Sequence, residues 1–266
     1  MAPRHLRISK LNSPLLAIVK YFMVIIAIIW LMLSVTESLG YHWQWYRVPR
    51  YLFSIANGEF IPGPLIWGLM VTFHISAISL LLAFVFGLVS ALFRLSNSFL
   101  ARALARGYLE TIRNTPLLVQ LFFIYFVLSP VLGFSAFTAA VLALSLFEGA
   151  YASEIFRAGI VSIHRGQWEA ALSIGLNPYQ TYRFIILPQA LQRILPPLTS
   201  QAVSLIKDSA LVSTIAIYDL AMQGQVIISE TYLVFEIWFT IAAIYLLITI
   251  SLSFIVANLE KRLKLE

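Results

Sequence analysis

Glu148 interrupts the apolar run LALSLFEGAYAS, and Lys207 and Asp208 stand side by side in AVSLIKDSAL. An ionisable group inside a bilayer is costly enough to count as a functional candidate by default. Glu148 lies about eleven residues into its apolar run, a depth of roughly 16 Å at 1.5 Å per residue, and should face a bundle interior. A structural hydrogen bond to a neighbouring helix would serve it equally well. Lys207 and Asp208 are adjacent, so on one helix they point about 100° apart and do not face each other. Asp208, followed by Ser209, Ala210 and Leu211, is placed to cap a new half-helix, whose positive end can be aimed at an anionic substrate group. The bland alternative is that the pair stabilises a helix break or an inner gate. Ser200, Ser204 and Asp208 share a helical face, a pattern that also suits helix packing. Glu148, Lys207, Asp208, Ser209 and Ser204 are the candidate path for a polar solute. Glu154 and Arg157, three apart, suit a local ion pair or brace.

A second kind of chemistry, docking, is suggested by EAALSIGLNPYQTYRFIILPQA, residues 169 to 190. A short helix from about Arg165 to Ile174 should close at Gly175, a residue suited to the left-handed conformation. Asn177 before Pro178 reads as an N-cap with proline at the first helical position. Pro188 should end the second helix at or before Leu187. The expectation is a compact helix-turn-helix knob. A DNA reader on so short a tether to a bilayer has poor access to a duplex, so the knob is expected to dock another protein.

The elements that position these residues are membrane helices. Of 266 residues, 60% are hydrophobic and 11% charged, against about 25% charged in a soluble domain. With about 20 apolar residues needed per crossing, candidate spans are 15 to 36, 65 to 93, 114 to 132, 136 to 157, 194 to 218 and 232 to 257. Arg4, Arg7, Lys10 and Lys20 are counted before the first span, which reads as a retained signal anchor. Arg94, Arg102, Arg106 and Arg113 fall between the second and third, Arg157, Arg165, Arg183 and Arg193 after the fourth, and Lys261, Arg262 and Lys264 at the end. All of these share one side on a six-span reading, and only Arg47 and Arg50 fall opposite. Both termini are therefore expected in the cytoplasm, with residues 38 to 64 and 219 to 231 outside. Tyr41, Trp43, Trp45 and Tyr46 suit an interface belt. Residues 98 to 113 set Arg102, Arg106, Glu110 and Arg113 on one helical face, a cytoplasmic amphipathic helix or an inner extension of the third span, solvated beside anionic lipid heads.

Several classes fall away. The net charge of +6 is distributed between hydrophobic spans, where it sets orientation, and nucleic-acid binding is not expected. There is no cysteine, and His5, His42, His74 and His164 are scattered without metal-site spacing. His74 is expected as a satisfied core histidine. No GxxxxGK[ST] is present, so ATP hydrolysis would belong to a partner.

Glu169, Ala170, Ala171, Gly175, Ile186, Leu187 and Pro188 resemble the EAA signature of ABC importer permeases. ETIRNTPLLVQLFF from Glu110, FEGAYASEIFRAGIVSI from Phe147 and KDSALVSTIAIYDL from Lys207 are similar to the polar amino acid branch, which handles His, Arg, Gln, Glu and opines. The resemblance covers about residues 65 to 258. It implies an all-α, polytopic type I ABC importer transmembrane domain of about six helices, multi-pass in the bacterial inner membrane. Residues 1 to 64 would be a signal-anchor helix and outer loop, 65 to 258 the permease domain with its coupling loop at 158 to 193, and 259 to 266 a cytoplasmic tail. The implied partners are an ATP-binding subunit dimer, a second permease chain, identical or homologous, and an extracytoplasmic amino-acid-binding protein, with the lipid bilayer around them. No cofactor is implied in this chain; ATP and Mg would sit in the ATPase. Glu148 or Asp208 would receive the ammonium of an amino acid. A secondary transporter or channel without an ATPase, and a membrane docking or assembly protein, are the rival readings.

Overall fold

A computed structural model describes residues 14–38, 40–56 and 58–263. Arg4, His5, Arg7, Lys10 and Lys264 lie outside the described residues. The chain divides into two units, 1–45 and 46–266. The first contains helix α1, Pro14–Ser38, with exposed apolar side chains such as Leu16, Phe22 and Trp30, followed by stacked Trp43 and Trp45 rings 5.8 Å apart.

In the second unit a helical turn, Pro49–Leu52, leads into a hairpin of β1, Phe53–Ala56, against β2, Glu59–Pro62. Helix α2, Pro64–Leu95, then begins with proline in its first turn, where the missing N–H costs nothing. Ser98 caps α3, Phe99–Arg113, by accepting from the Ala101 amide at 3.3 Å. Helix α4, Leu117–Leu132, leaves α3 at a bend of 105°. Ser135 caps α5, Ala136–Val161, and α6 is the short Arg165–Ser173. Helix α7, Pro178–Ile215, is followed after a 48° bend by α8, Leu220–Thr231, and α9, Val234–Leu263, completes the unit.

Helices α2 and α5 are the packed centre. Ala83, Gly87 and Ala91, at four-residue spacing, are buried along α2, and α5 answers with Gly149, Ala152 and Ser153. A Cβ added to Gly87 would lie 2.7 Å from the Ala152 Cβ, and one on Gly149 would lie 2.9 Å from the Phe86 Cβ. In a bilayer, lipid tails are as apolar as leucine, so close backbone approach and dispersion must hold helices together. Small residues provide that approach.

Three expectations change. Pro188 does not end a helix: Pro178–Gln180, a π turn at Thr181–Ile186 and an α-helix at Leu187–Asp208 run on without a break. The wide turn spaces the backbone just before the proline ring, relieving its clash with the preceding turn and accommodating its missing N–H. A matching π turn, Phe123–Leu128, precedes Pro130 in α4. The knob is thus one short helix and the start of a long one, not two short helices. Residues 219 to 231, expected as an outer loop, form α8, whose Leu220, Ala221, Gly224 and Ile227 are buried. Asp219 caps it through Oδ1, accepting from the Met222 amide at 2.9 Å. Finally, His74 is exposed, its ring centroid 5.2 Å from that of Phe137; it sits on the outward face of α2, not in the core.

Gly87→Val should destabilise the fold by about 1–3 kcal/mol, the usual cost of overpacking. It is read as a lowered thermal unfolding midpoint of the detergent-solubilised chain, and an unchanged midpoint would contradict the close α2–α5 seam.

Candidate functional site

Two sites emerge, one on α6 and one between α5 and α7. Around α6, His164 Nδ1 accepts from the Gly166 amide at 3.0 Å and starts the helix. Its far end is closed by a paired backbone motif: Gly175 donates to the Leu172 carbonyl at 3.0 Å and Leu176 to the Ala171 carbonyl at 3.1 Å. This closure needs Gly175 at φ +82, where a side chain is strained. Asn177 then starts α7 with a reciprocal capping box: its Oδ1 accepts from the Gln180 amide, and Gln180 Oε1 accepts from the Asn177 amide. Gln180 as the second half of this cap was not singled out from sequence, although the Asn-x-x-Gln spacing carries the signal.

The EAA residues separate into two roles. Ala171 (1% exposed) and Ile186 are buried, and Trp168 stands edge-on to Tyr182 at 4.8 Å, fastening α6 to α7. Gln189 Nε2 donates to Gln167 Oε1 at 3.2 Å, and Arg193 Nη1 donates to the Ser162 carbonyl at 2.5 Å. Glu169, Ala170 and Gly175 are exposed, as are Leu187 and Pro188 on α7. Beside them Leu172 and Ile174, the latter 75% exposed, face outward. Glu169 pairs with Arg165 at 3.2 Å, one turn back. An apolar rim around a small residue and one carboxylate is a surface on which another protein's cleft can close.

In the interior, Glu148 is 1% exposed, and its Oε2 accepts a hydrogen bond from Gln201 Nε2. The Asp208 carboxyl interacts with that of Glu148. Gln201 and Asp208 are seven residues apart, two turns of α7, and so share the face turned to α5. Gln201 was missed from sequence; its two-turn spacing from Asp208 was the available signal. A cavity of about 170 Å³ between α2, α5 and α7 is lined by Glu148, Gln201, Leu80, Phe84 and Thr199.

The rest of the candidate path lies elsewhere. Lys207 is exposed and lines a groove of about 380 Å³ with Ser200, Ser204 and Ser253, between α7 and α9. Ser209 is buried and its hydroxyl donates to the Ile206 carbonyl at 2.8 Å. Asp208 makes no side-chain cap; the helix continues beyond it as a 3-10 segment, Ser209–Ile215, and the break with a capped new helix comes at Asp219. The structure therefore groups Glu148 with Asp208, and sets Ser204 and Lys207 on a separate face. Ser200 belongs to that second face, not with Asp208. Glu154 holds Arg157 at 3.1 Å, as its spacing predicts, and also Arg94 at 2.8 Å and Arg113 at 3.2 Å. Among the described residues no cluster of His, Asp and Glu is arranged for a metal ion.

Residues 83–265 match the family described as the binding-protein-dependent transport system inner membrane component. The chain belongs to that family. It is a multi-pass permease subunit of the inner membrane with the type I ABC importer fold, working in an ATP-driven importer. It is 42% identical over 204 residues to the glutamine transport system permease protein GlnP of Escherichia coli K12, covering 76% of this chain and 93% of that one. It is 40% identical over 199 residues to the probable glutamine ABC transporter permease protein GlnP of Bacillus subtilis, covering 73% and 91%. A crystal structure of an amino acid ABC transporter with histidines superposes with a TM-score of 0.71 at 39% identity, covering 75% of this permease and 94% of that chain. The MetNI methionine ABC transporter in an inward-facing form shares the fold, with a TM-score of 0.64 at 20% identity.

Gly175→Val places a branched side chain in the left-handed region, at a cost of roughly 1–2 kcal/mol. It should raise amide hydrogen exchange at residues 171 to 177 with little change at α2 and α5; unaltered exchange there would show that the turn does not depend on the glycine.

Proposed function

We propose that this permease carries polar amino acids, and that α6 is the surface through which an ATP-binding subunit drives it. The observation that carries the coupling assignment is the split of the EAA residues. Ala171 and Ile186 are spent on fastening α6 to α7, while Glu169, Ala170, Gly175, Leu187 and Pro188 are exposed where a partner can meet them. Both termini are cytoplasmic in this reading, which puts α6 on the side where ATP is. Residues 1 to 64 are an anchor and outer segment, 65 to 258 the permease body with its coupling segment at 158 to 193, and 259 to 266 a tail. The assembly contains two permease chains, two ATP-binding subunits that hold ATP and Mg, and an external binding protein that delivers the amino acid.

Closure of the ATP-binding pair moves α6, and α7 transmits the movement because it begins at Asn177 and continues to the level of Gln201 and Asp208. The spans rock outward-open and accept the solute; hydrolysis restores the inward-open state. Inside, two facing carboxyls repel when both are charged, and a cation between them relieves the repulsion. Glu148 and Asp208 therefore suit the ammonium or cationic side chain of an amino acid. Lys207 and Ser204, on the groove beside α9, offer a positive charge and hydroxyls to a carboxylate on the same journey, and Ser209 holds the turn behind them. GlnP relatives and an amino acid transporter of 39% identity support the choice of cargo class.

Glu169→Lys reverses the one exposed carboxylate of α6 and should abolish co-purification of the ATP-binding subunit from native membranes, with membrane insertion intact; undiminished recovery would remove α6 as the coupling surface. In proteoliposomes of the full complex, Glu148→Gln should cut ATP-driven uptake of a cationic or amide amino acid at least about tenfold, the scale of losing one charge-assisted contact. Wild-type uptake by that variant would take Glu148 off the path.

A further inference from the structure

One polar cavity of the second unit has no part in the reading above. It measures about 520 Å³ and is lined by Arg94 from the end of α2, Arg102, Arg106 and Arg113 from α3, and Glu154 and Arg157 from α5, with Glu110 and Tyr151 completing it. Five guanidiniums thus face two carboxylates. Glu154 already serves Arg94, Arg113 and Arg157, and Glu110 accepts from Asn114 Nδ2 at 3.0 Å. Arg102 and Arg106, one turn apart on α3, make no ion pair among the described residues and stand exposed at the cavity. The cavity is therefore a built anion site: three arginines are fixed by a shared carboxylate, and two more are free to close on an anion.

We propose that this cavity holds the phosphate head of an anionic phospholipid, and that a diphosphate head, as in diphosphatidylglycerol, fills it best. Guanidinium forks match phosphate oxygens two at a time, and the two unpaired arginines together with the braced three can engage two phosphates. A lipid, not a soluble phosphate, follows from what surrounds the charge. The 105° bend between α3 and α4 lays α3 across the direction of the span that follows. Opposite its arginine face α3 exposes Leu100 and Leu104; the end of α2 exposes Leu92 and Phe93, and α3 begins with Phe99, which is 81% exposed. A helix with a basic face and an apolar face lying across the spans is an interfacial helix, its apolar side against acyl chains. Basic pockets between helices at the cytoplasmic surface are where such head groups are held. The inference rests on the cytoplasmic placement of α3 given above, but on neither the cargo nor the role of α6.

The test uses the intact permease–ATPase complex. Complex reconstituted in phosphatidylcholine nanodiscs with diphosphatidylglycerol is extracted in neutral detergent, and retained lipid is weighed by native mass spectrometry. The wild type should keep diphosphatidylglycerol over phosphatidylcholine. The exposed double change Arg102→Gln/Arg106→Gln should weaken retention roughly thirtyfold, the loss of two surface cation contacts. Arg102→Lys/Arg106→Lys should restore part of it, which separates charge from simple misfolding. Equal retention by the glutamine variant overturns the proposal. So does displacement of lipid by inorganic pyrophosphate at low concentration, which would assign the cavity to a soluble phosphate compound. Loss of the ATP-binding subunit from the variant with lipid retention unchanged overturns it in favour of a protein-docking face. ATP-driven uptake measured in pure phosphatidylcholine liposomes reports on the importer reading separately.

Discussion

The close approach of α2 and α5 is the constraint on which the other positions depend. Gly87 and Gly149 leave no room for a Cβ, and with Ala83, Ala91, Ala152 and Ser153 they bring two backbones into direct contact over several turns. In lipid no hydrophobic force would press these helices together, so shape must do so. Once they are joined, three results follow without further specification. Glu148, one residue before Gly149, is carried into the interior toward α7. Arg94, one turn past Ala91, arrives beside Glu154. Phe156 is sealed under Ile186 and Ala190, which ties the start of α7 to the same pair. Polar groups in the interior and at the inner surface are thus placed by a seam that contains almost no polar chemistry.

Charge is treated differently at the two depths. At Glu154 the carboxylate is partly exposed and surrounded by arginines, whose combined attraction outweighs the cost of its burial. At Glu148 the carboxylate is buried, its neighbours are an amide and another carboxyl, and Oε1 has no hydrogen-bond partner among the described residues. A group in the second situation is costly to keep unless something else occupies the site for part of the cycle. The first arrangement is a brace; the second fits a place where cargo passes.

Much of this was legible in the residues because local rules and membrane rules agree. The apolar runs marked α1 and α2 to within two residues and the starts of α5 and α9 equally well, though both of those helices run on past the expected ends; Gly175 marked the end of α6, and Asn177-Pro178 marked the start of α7. What was not legible came from places where tertiary structure overrides a local signal. Pro188 reads as a stop, yet a π turn lets the helix pass. Residues 219 to 231 are polar enough to read as a loop, yet packing against α2 and α9 buries one side as a helix. Asp208 and Asp219 each stand within two residues of an apolar stretch, and nothing local says which one caps. The phase of α7 decides it: Asp208 is turned toward Glu148, leaving Asp219 to start the next helix.

The continuity of α7 changes what the coupling surface can do. Had Pro188 ended a short helix, movement at Gly175 would have been absorbed in a flexible joint before reaching the bundle. Instead the capping box at Asn177 and the interior at Gln201 lie on one helix, about 36 Å apart at 1.5 Å per residue. A π turn preserves that continuity while weakening it locally, since its wider ring is a less regular hydrogen-bonded unit than an α turn. The helix is therefore continuous but adjustable near Ile186, where it is fastened beneath α5, and again at Pro196 and Pro197, whose missing N–H groups remove ladder bonds. A small tilt of α6, pivoting about that fastening, displaces Gln201 relative to Glu148 and alters the hydrogen bond between them at the interior cavity. The proline that seemed to interrupt the path is part of what lets a push at the membrane surface reach its centre.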